Sequence, residues 1–446
     1  MFAGIKMRLV CLIFATAHCL RVAVLTTSDC RSASPVTHHE FGTQLAASLV
    51  VLLRYRELFP DWDAFLATRP AKWNQSPGSP AAKDAGCREV WDDLAGLYRA
   101  RSGAELRLLD YDLRDFAMLD VVSRIPGKET DHSRGHWPSE AFAHLVLGAR
   151  LLEDGYTHTV YVDADAWPLD DALGLEVPRV AGVGCVAALP AQCLEVDIPR
   201  GSAAGRAAKE RTDEYRLVTD PALRARVAAA AASFGHGYRV VNGTNSGVVV
   251  YNNAFLKSAR WAEWMHALVN VSRRGFYGDQ TALTVALGRA DVPVRWLHPR
   301  FNVAVTLPYS YVLSTCGEDA LSAGRAARAP GAAPVSIAHF TWGPKPWMKA
   351  FDARRATHRL KANAVQNDGP LANAYRAWVR AALGARRVAR YFSDGAMAPL
   401  PNATAPGGAR LDLRPFRRCG ALVAAGAGPC REAGGAGGAL LPARPV

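Results

Sequence analysis

The stretch VYVDADAWPL, residues 160–169, decides how the rest of the chain is read. Its first three residues continue an apolar strand, and two carboxylates, Asp163 and Asp165, follow with only Ala164 between them. Such a pair at a strand end can reach one hard cation, Mn2+ or Mg2+, whose remaining positions stay open to phosphate oxygens. A metal there would neutralise charge on a leaving diphosphate. The same triplet also occurs as a solvated turn, so the surrounding residues must decide.

Just upstream, Ser139-Glu140 opens a helix carrying Phe142, Leu145, Leu147, Leu151 and Leu152, which closes at Asp154-Gly155 before the strand at 159–162. Residues 21–27 read as a buried strand ending in the polar turn Ser28-Asp29, and 41–58 have helical spacing at Leu45, Leu49, Leu52 and Leu53. Prolines and small polar residues mark 61–83 as a surface insertion, and 105–109 read as a second strand. Downstream, 191–238 form a polar, Ala- and Arg-rich insertion expected to be partly helical. Further strands are expected at 248–251, 292–296 and 335–338. The alternation predicts an α/β fold with a mainly parallel twisted sheet covered by helices. Chemistry in such sheets collects at the carboxyl ends of strands, where Asp29, Asp163 and Asp165 fall.

The chain has 446 residues, 50% apolar and 21% charged, which excludes wholesale disorder. No uncharged apolar run is long enough to span a bilayer, so a multi-pass membrane protein is excluded too. Most of the +13 charge falls in residues 351–446, with 15 Lys or Arg against 5 Asp or Glu. No zinc-finger spacing or RNP-like strand accompanies it, so no specific nucleic-acid partner is expected. Peripheral contact with an anionic membrane through this tail is the alternative use of the charge. Lys6 and Arg8 precede an apolar run that ends in a small-x-small site at Ala15 and Ala17. Residues 1–17 therefore read as a signal peptide, with a short anchor or a buried first element as alternatives. Removing Cys11 with it leaves eight of nine cysteines, an even number that suits an oxidising lumen. Cys185 with Cys193, and Cys419 with Cys430, are close enough in sequence to be candidate disulfides, although sequence alone does not fix the pairing. Sequons at Asn74, Asn242, Asn270 and Asn402 fit a secretory pathway lumen (endoplasmic reticulum or Golgi) or secretion.

Downstream of the Asp pair come NGTNSGVVVYN (242–252), YGDQTALT (277–284), WLHPRFNV (296–303) and HFTWGPKPW (339–347). In this order, from about Arg21 to Trp347, the motifs resemble the GT-A glycosyltransferases of family 8, the group that includes glycogenin and bacterial lipooligosaccharide galactosyltransferases. The resemblance implies a GT-A fold over residues 20–350, with a nucleotide-binding half at 20–175 and a donor and acceptor half at 176–350. A helical segment at 351–390 and a poorly ordered basic tail at 391–446 would follow.

It also implies a site. Asp163, Asp165 and His339 would hold Mn2+ or Mg2+ against a UDP-sugar, a neutral imidazole suiting a transition metal. Lys345 would stabilise the departing UDP, with Gly343 in the same loop. Asn245 and Gly247 would lie near the donor sugar, the glycine allowing close backbone approach. Asp279 would bind sugar hydroxyls and Gln280 would sit beside the anomeric carbon; with Lys345 they form the expected catalytic group. Asp279 also suits a helix N-cap. Thr26, Thr27 and Asp29 match the turn that receives uracil and ribose. Leu297, Phe301 and Asn302 match a structural segment. Three departures stand out: Trp342 replaces the usual glycine three positions after the histidine, His144 takes the register of a donor-binding arginine, and the insertion at 191–238 lies where relatives build acceptor contacts, so the resemblance does not carry an acceptor.

The resulting expectation is a retaining transferase that moves a sugar from a nucleotide-sugar donor to a hydroxyl on a glycan, lipid or protein. One alternative is a phosphatase or nucleotidyltransferase using the two aspartates; the Asp pair resembles that of haloacid dehalogenase-class phosphatases, although that class has Thr or Val soon after the second Asp, where Ala166-Trp167 stand. The other is a decayed sugar- or polyanion-binding protein.

Overall fold

The computed structural model describes residues 20–28, 43–68, 85–111, 116–118, 139–187, 217, 220–241, 243–272, 279–304, 336–340, 345–347 and 370–392. The chain enters through β1 (Val22–Thr27), α1 (Thr43–Leu58), β2 (Asp63–Thr68), α2 (Ala85–Ser102) and β3 (Arg107–Asp110). After α3 (His144–Glu153) come β4 (His158–Val162), β5 (Ala166–Pro168), β6 (Val183–Ala187), α4 (Pro221–Ser233), β7 (Thr244–Asn252) and α5 (Asn253–Ser258). The order closes with α6 (Trp261–Ser272), α7 (Asp279–Ala286), β8 (Val294–Leu297), β9 (Val303–Ala304), β10 (Ile337–His339) and α8 (Pro370–Tyr391).

Seven strands form one sheet in the order β3-β2-β1-β4-β7-β6-β8. Every neighbouring pair is parallel except the two made by β7, which runs against β4 and β6. The mainly parallel α/β sheet expected from the sequence is therefore present. One expectation fails: residues 63–68 lie not in a surface insertion but in β2, between β1 and β3. The sequence DAFLAT is short and two-thirds apolar, with five of its six residues buried. The prolines around it punctuate the flanks of a strand and do not mark a loop.

Side chains alternate across the sheet with the period of two that strands impose. Val160 and Val162 share one core with Leu49 and Leu53 of α1, Leu94 of α2 and Tyr375 and Val379 of α8. Tyr161, between them, faces a second core with Leu147 of α3, Trp264 of α6 and Leu283 of α7. The sheet is thus sandwiched between two helical layers, each buried large side chain contributing about 1.5–3 kcal/mol. At the end of α3, Gly155 takes φ 83° and its N–H returns to the Leu152 carbonyl, turning the chain straight into β4. Asp220 caps α4 through Ala222 N and Leu223 N, which gives the Ala-rich part of 191–238 its expected helix.

Among the described residues no helix is long and apolar enough to cross a membrane. Cys185 lies fully buried on β6 as a free thiol, while Cys193, Cys419 and Cys430 of the suggested pairings lie outside the described residues. Burial pushes that thiol far above the usual range, which leaves it chemically inert.

Candidate active site

From β1 the chain runs outward through β2 to β3 on one side, while β4 pairs on the other side of β1. The carboxyl ends of β1 and β4 therefore flank a topological switch point, where open α/β sheets leave a crevice. Antiparallel β7 brings its amino end to the same edge, and Asp163 N–H donates to the Gly247 carbonyl at 2.9 Å. A tight turn comes next, closed by Ala166 N–H on the Asp163 carbonyl. It leads into β5, which pairs antiparallel with β10 so that Ala166 stands opposite His339. Phe340 N–H on the Asp165 carbonyl seals the join.

This pairing puts three side chains at one point. His339 Nε2 lies 3.4 Å from Asp163 Oδ2 and 3.2 Å from Asp165 Oδ1, and one ligand atom from each residue falls within 4.8 Å of the others. Two carboxylates and an imidazole in that span can hold one divalent ion, with carboxylate oxygens acceptable to Mg2+ and the imidazole favouring a transition metal. Lys345 Nζ contacts Asp165 and donates to the Phe340 carbonyl at 2.6 Å. Burial works against ionised Asp165, yet the charges of Lys345 and His339 hold it well below the usual carboxylate range. Burial likewise opposes protonated His339, but Asp165 and Asp163 raise it to about 9. The site is a pocket of charge whose own cations stand among its carboxylates.

The histidine is wedged from behind. Its ring is almost fully buried and packs directly on Gly247, where any Cβ would meet His339 Cε1 at 2.1 Å. Its Nδ1 lies 2.7 Å from Asn302 Oδ1, Asn302 Nδ2 donates to Asn245 Oδ1 at 2.9 Å, and Gly247 N–H donates to that same oxygen. The close approach that Gly247 permits is therefore that of His339, and the Asn245 side chain points into this chain of hydrogen bonds.

A second cluster adjoins the first. Asp279, buried at the start of α7, lies 3.1 Å from His144 Nε2, and His144 Nδ1 lies 2.8 Å from the Tyr251 hydroxyl. The His144 ring stacks on Tyr161, centroids 3.8 Å apart, and Tyr161 donates to Asp163 Oδ1 at 2.6 Å. Gln280 is half-buried beside Asp279. Burial, then the charges of Asp163 and Asp279, keeps Tyr161 a neutral phenol. Thr27 hydrogen-bonds Tyr161 from the end of β1, while the buried hydroxyls of Thr26 and Ser28 have no partner among the described residues. Ala164 is half-buried in the turn. Asp29, Trp342 and Gly343 lie outside the described residues.

The structure thus brings Asp163, Asp165, His339 and Lys345 to one centre, with Asp279 and His144 joined to it through Tyr161. Sequence reasoning read Asn302 as structural and passed over Tyr161 and Tyr251. The tyrosines sit inside the motifs at 160–169 and 242–252, on the same face as buried Val249, so their apolar neighbours disguised them as core.

No protein-family model and no curated protein matches the chain. Among solved structures it is similar to the galactosyltransferase LgtC in complex with donor and acceptor sugar analogs, at 17% identity and TM-score 0.37, covering 77% of this chain and 95% of that one. It is also similar to mouse xyloside xylosyltransferase 1, at 12% identity and TM-score 0.37 over 72% and 97% of the two chains. A third is the glycosyltransferase GlyE of Streptococcus pneumoniae, at 13% identity and TM-score 0.38 over 74% and 57%. Likeness at that level decides nothing by itself; the functional reading rests on the strand order and the side-chain cluster.

Proposed function

We propose that the protein is a metal-dependent glycosyltransferase moving a sugar from a UDP-sugar to a hydroxyl acceptor. The observation that carries this reading is the convergence of Asp163, Asp165 and His339 at the switch point of the sheet, with Lys345 in contact. Asp163, Asp165 and His339 would hold Mn2+ or Mg2+, which would supply charge neutralisation for the diphosphate. Lys345 would turn from Asp165 to a phosphate oxygen as the nucleotide enters, adding a second positive charge where the leaving group develops its own. The hydroxyls of Thr26 and Ser28 at the end of β1, unpartnered among the described residues, suit polar groups of the nucleotide.

Asp279 would hydrogen-bond the sugar, with Gln280 beside the reacting carbon. His144, with both ring nitrogens engaged inside the protein, would act through Asp279 and leave phosphate to Lys345. Retention of configuration rests on the resemblance to family 8, as does UDP as the nucleotide. The amino-terminal pattern and the sequons support a lumenal or secreted enzyme. The basic tail supports peripheral contact with an anionic membrane.

The test is release of UDP by the full chain across a panel of UDP-sugars, with Mn2+, Mg2+ or EDTA. Metal-dependent release with one donor, lost in Asp165→Asn, is the expected result. Absence of both turnover and UDP binding in wild type would overturn the reading. Phosphate release from simple phosphoesters, surviving His339→Ala, would favour the phosphatase alternative.

A further inference from the structure

We infer that Asn302, held in turn by Asn245, sets the tautomer and aim of His339 and is a positioning residue of the metal centre. The inference rests on the metal-dependent reading above and goes one shell further out. Its starting point is a group with no ambiguity. The backbone N–H of Gly247 can only donate, and it points at the Asn245 amide at 2.9 Å, so the atom facing it is the oxygen. That oxygen also faces Asn302 at 2.9 Å, which must therefore present its NH2. The opposite end of the Asn302 amide is then its oxygen, and this is the atom 2.7 Å from His339 Nδ1. An amide oxygen only accepts, so Nδ1 carries the proton.

The consequence falls on the other ring nitrogen. With Nδ1 committed as donor, Nε2 is the nitrogen that can offer a lone pair to a metal, and it is Nε2 that faces Asp163 and Asp165. Ligating histidines are ordinarily fixed in this way by a partner on the far nitrogen. Here the partner is a neutral amide oriented by a second amide, which is oriented by the backbone of β7. All three side chains are nearly or fully buried, Asn302 at 0%, His339 at 3% and Asn245 at 9% exposure. Water is kept from replacing any of them, so each bond counts for more than on the surface. The chain also ties the centre's two halves together, since Gly247 accepts from Asp163 N–H through its carbonyl and donates through its amide to Asn245 Oδ1, the first member of the path that ends on His339.

The test is Mn2+ affinity of the full chain, read from the free-ion electron paramagnetic resonance signal, and the rise in Tm that Mn2+ gives over EDTA. Asn302→Leu keeps the branched outline of the side chain but leaves Nδ1–H without an acceptor; affinity should fall about 10- to 100-fold. Asn245→Leu breaks the chain one step further away and should also weaken binding. Asn245→Asp still accepts from both Gly247 and Asn302 and should bind within about threefold of wild type, because both of its neighbours in the chain are donors. A purely structural role for the pair would lower Tm in EDTA and leave the Mn2+-induced rise unchanged.

Two results would overturn the inference: a folded Asn302→Leu that binds Mn2+ as wild type does, or an Asn245→Asp that loses as much as Asn245→Leu. Asp165→Asn separates this from the broader proposal. If it too leaves Mn2+ binding untouched, the metal centre itself is refuted; if it abolishes binding while the asparagine variants do not, only the positioning chain fails.

Discussion

Gly247→Ala is the sharpest probe of the centre because it adds one methyl group at one known place. The new Cβ would lie 2.1 Å from His339 Cε1, 2.5 Å from Nδ1 and 2.8 Å from Nε2. Carbon atoms in contact need about 3.5–4.0 Å, so the ring must retreat by roughly 1.5 Å. Metal–ligand bonds tolerate only about 0.2 Å, and Asn302 blocks an easy slide because it already holds Nδ1. The retreat would therefore remove His339 as a ligand of the proposed ion. Since losing a mere partner of a ligating histidine costs about 10- to 100-fold in affinity, losing the ligand should cost at least ~100-fold. That corresponds to about 2.7 kcal/mol. Gly247 is not among the positive-φ glycines, so the alanine's backbone is at ease and the effect belongs to the methyl group alone. Mn2+ titration monitored by electron paramagnetic resonance measures the loss, and Tm in EDTA shows the overpacking penalty of about 1–3 kcal/mol. Paired with His339→Ala in a double-mutant cycle, the methyl group gains room, and Gly247→Ala should cost nothing further. A single variant that binds Mn2+ within a few-fold of wild type, or equal losses in both backgrounds, would refute the reasoning.

Lys345→Met should raise Mn2+ affinity in the absence of nucleotide, because Lys345 neutralises Asp165 in the metal-free site, while UDP affinity and turnover fall. Calorimetry of Mn2+ and of UDP separately reads both, and a fall in Mn2+ affinity would contradict it. The metal-free protein should be most stable between about pH 4 and 6.5. Protonated His339, raised to about 9, contributes stability that is full below about 6.5 and lost as pH climbs through 9. Depressed Asp165 contributes stability present above about 3.9 and lost in acid. Tm in EDTA across this range, flattened on the alkaline side in Asp165→Asn, checks the sign. Arg376→Met removes the donor to the Pro346 carbonyl and should loosen the Lys345 loop, raising KM for the donor several-fold with little change in Mn2+ affinity; steady-state kinetics and Mn2+ titration decide.

How much of the fold and site was legible in the sequence depends on the range of the interactions involved. The run at 160–165 was readable because strand periodicity and a polar stop are local, and both survive in β4 and its turn. β2 was not, since DAFLAT carries no β-branched residue until its last position and lies between prolines at 60 and 70. Its burial between β1 and β3 is tertiary information that local propensity does not hold. Asn302 was visible as a motif residue, but its bond to His339 spans 37 positions. The order of amide oxygens and nitrogens along that path exists only once β7 of the large sheet meets the residues flanking β9 and those of β10 in the small one. His144 shows the same limit from the other direction. Its register suggested an arginine's task at the donor, whereas its geometry spends both nitrogens on Asp279 and Tyr251.

The centre's construction makes metal binding a report on the completed fold. Asp163 and Asp165 belong to the turn between β4 and β5, at the carboxyl end of the large sheet's central strand, while His339 arrives only when β10 adds between β5 and β9. Without that addition the two aspartates are a solvated pair of modest affinity. With it, the three side chains are fixed at once, and the free energy of binding the proposed ion would appear as stability of the strand pairing that assembled them. Tyr375 of α8 packs against Trp167 on β5, Phe340 just after β10 and Trp347 beyond Lys345, so the last described helix holds down every element of that small sheet that carries a ligand or follows one. Mn2+ should accordingly protect the amides of β5 and β10 from hydrogen exchange well beyond those of β3 at the far edge. Uniform protection across the large sheet would mean that the ion stabilises a fold already complete without it.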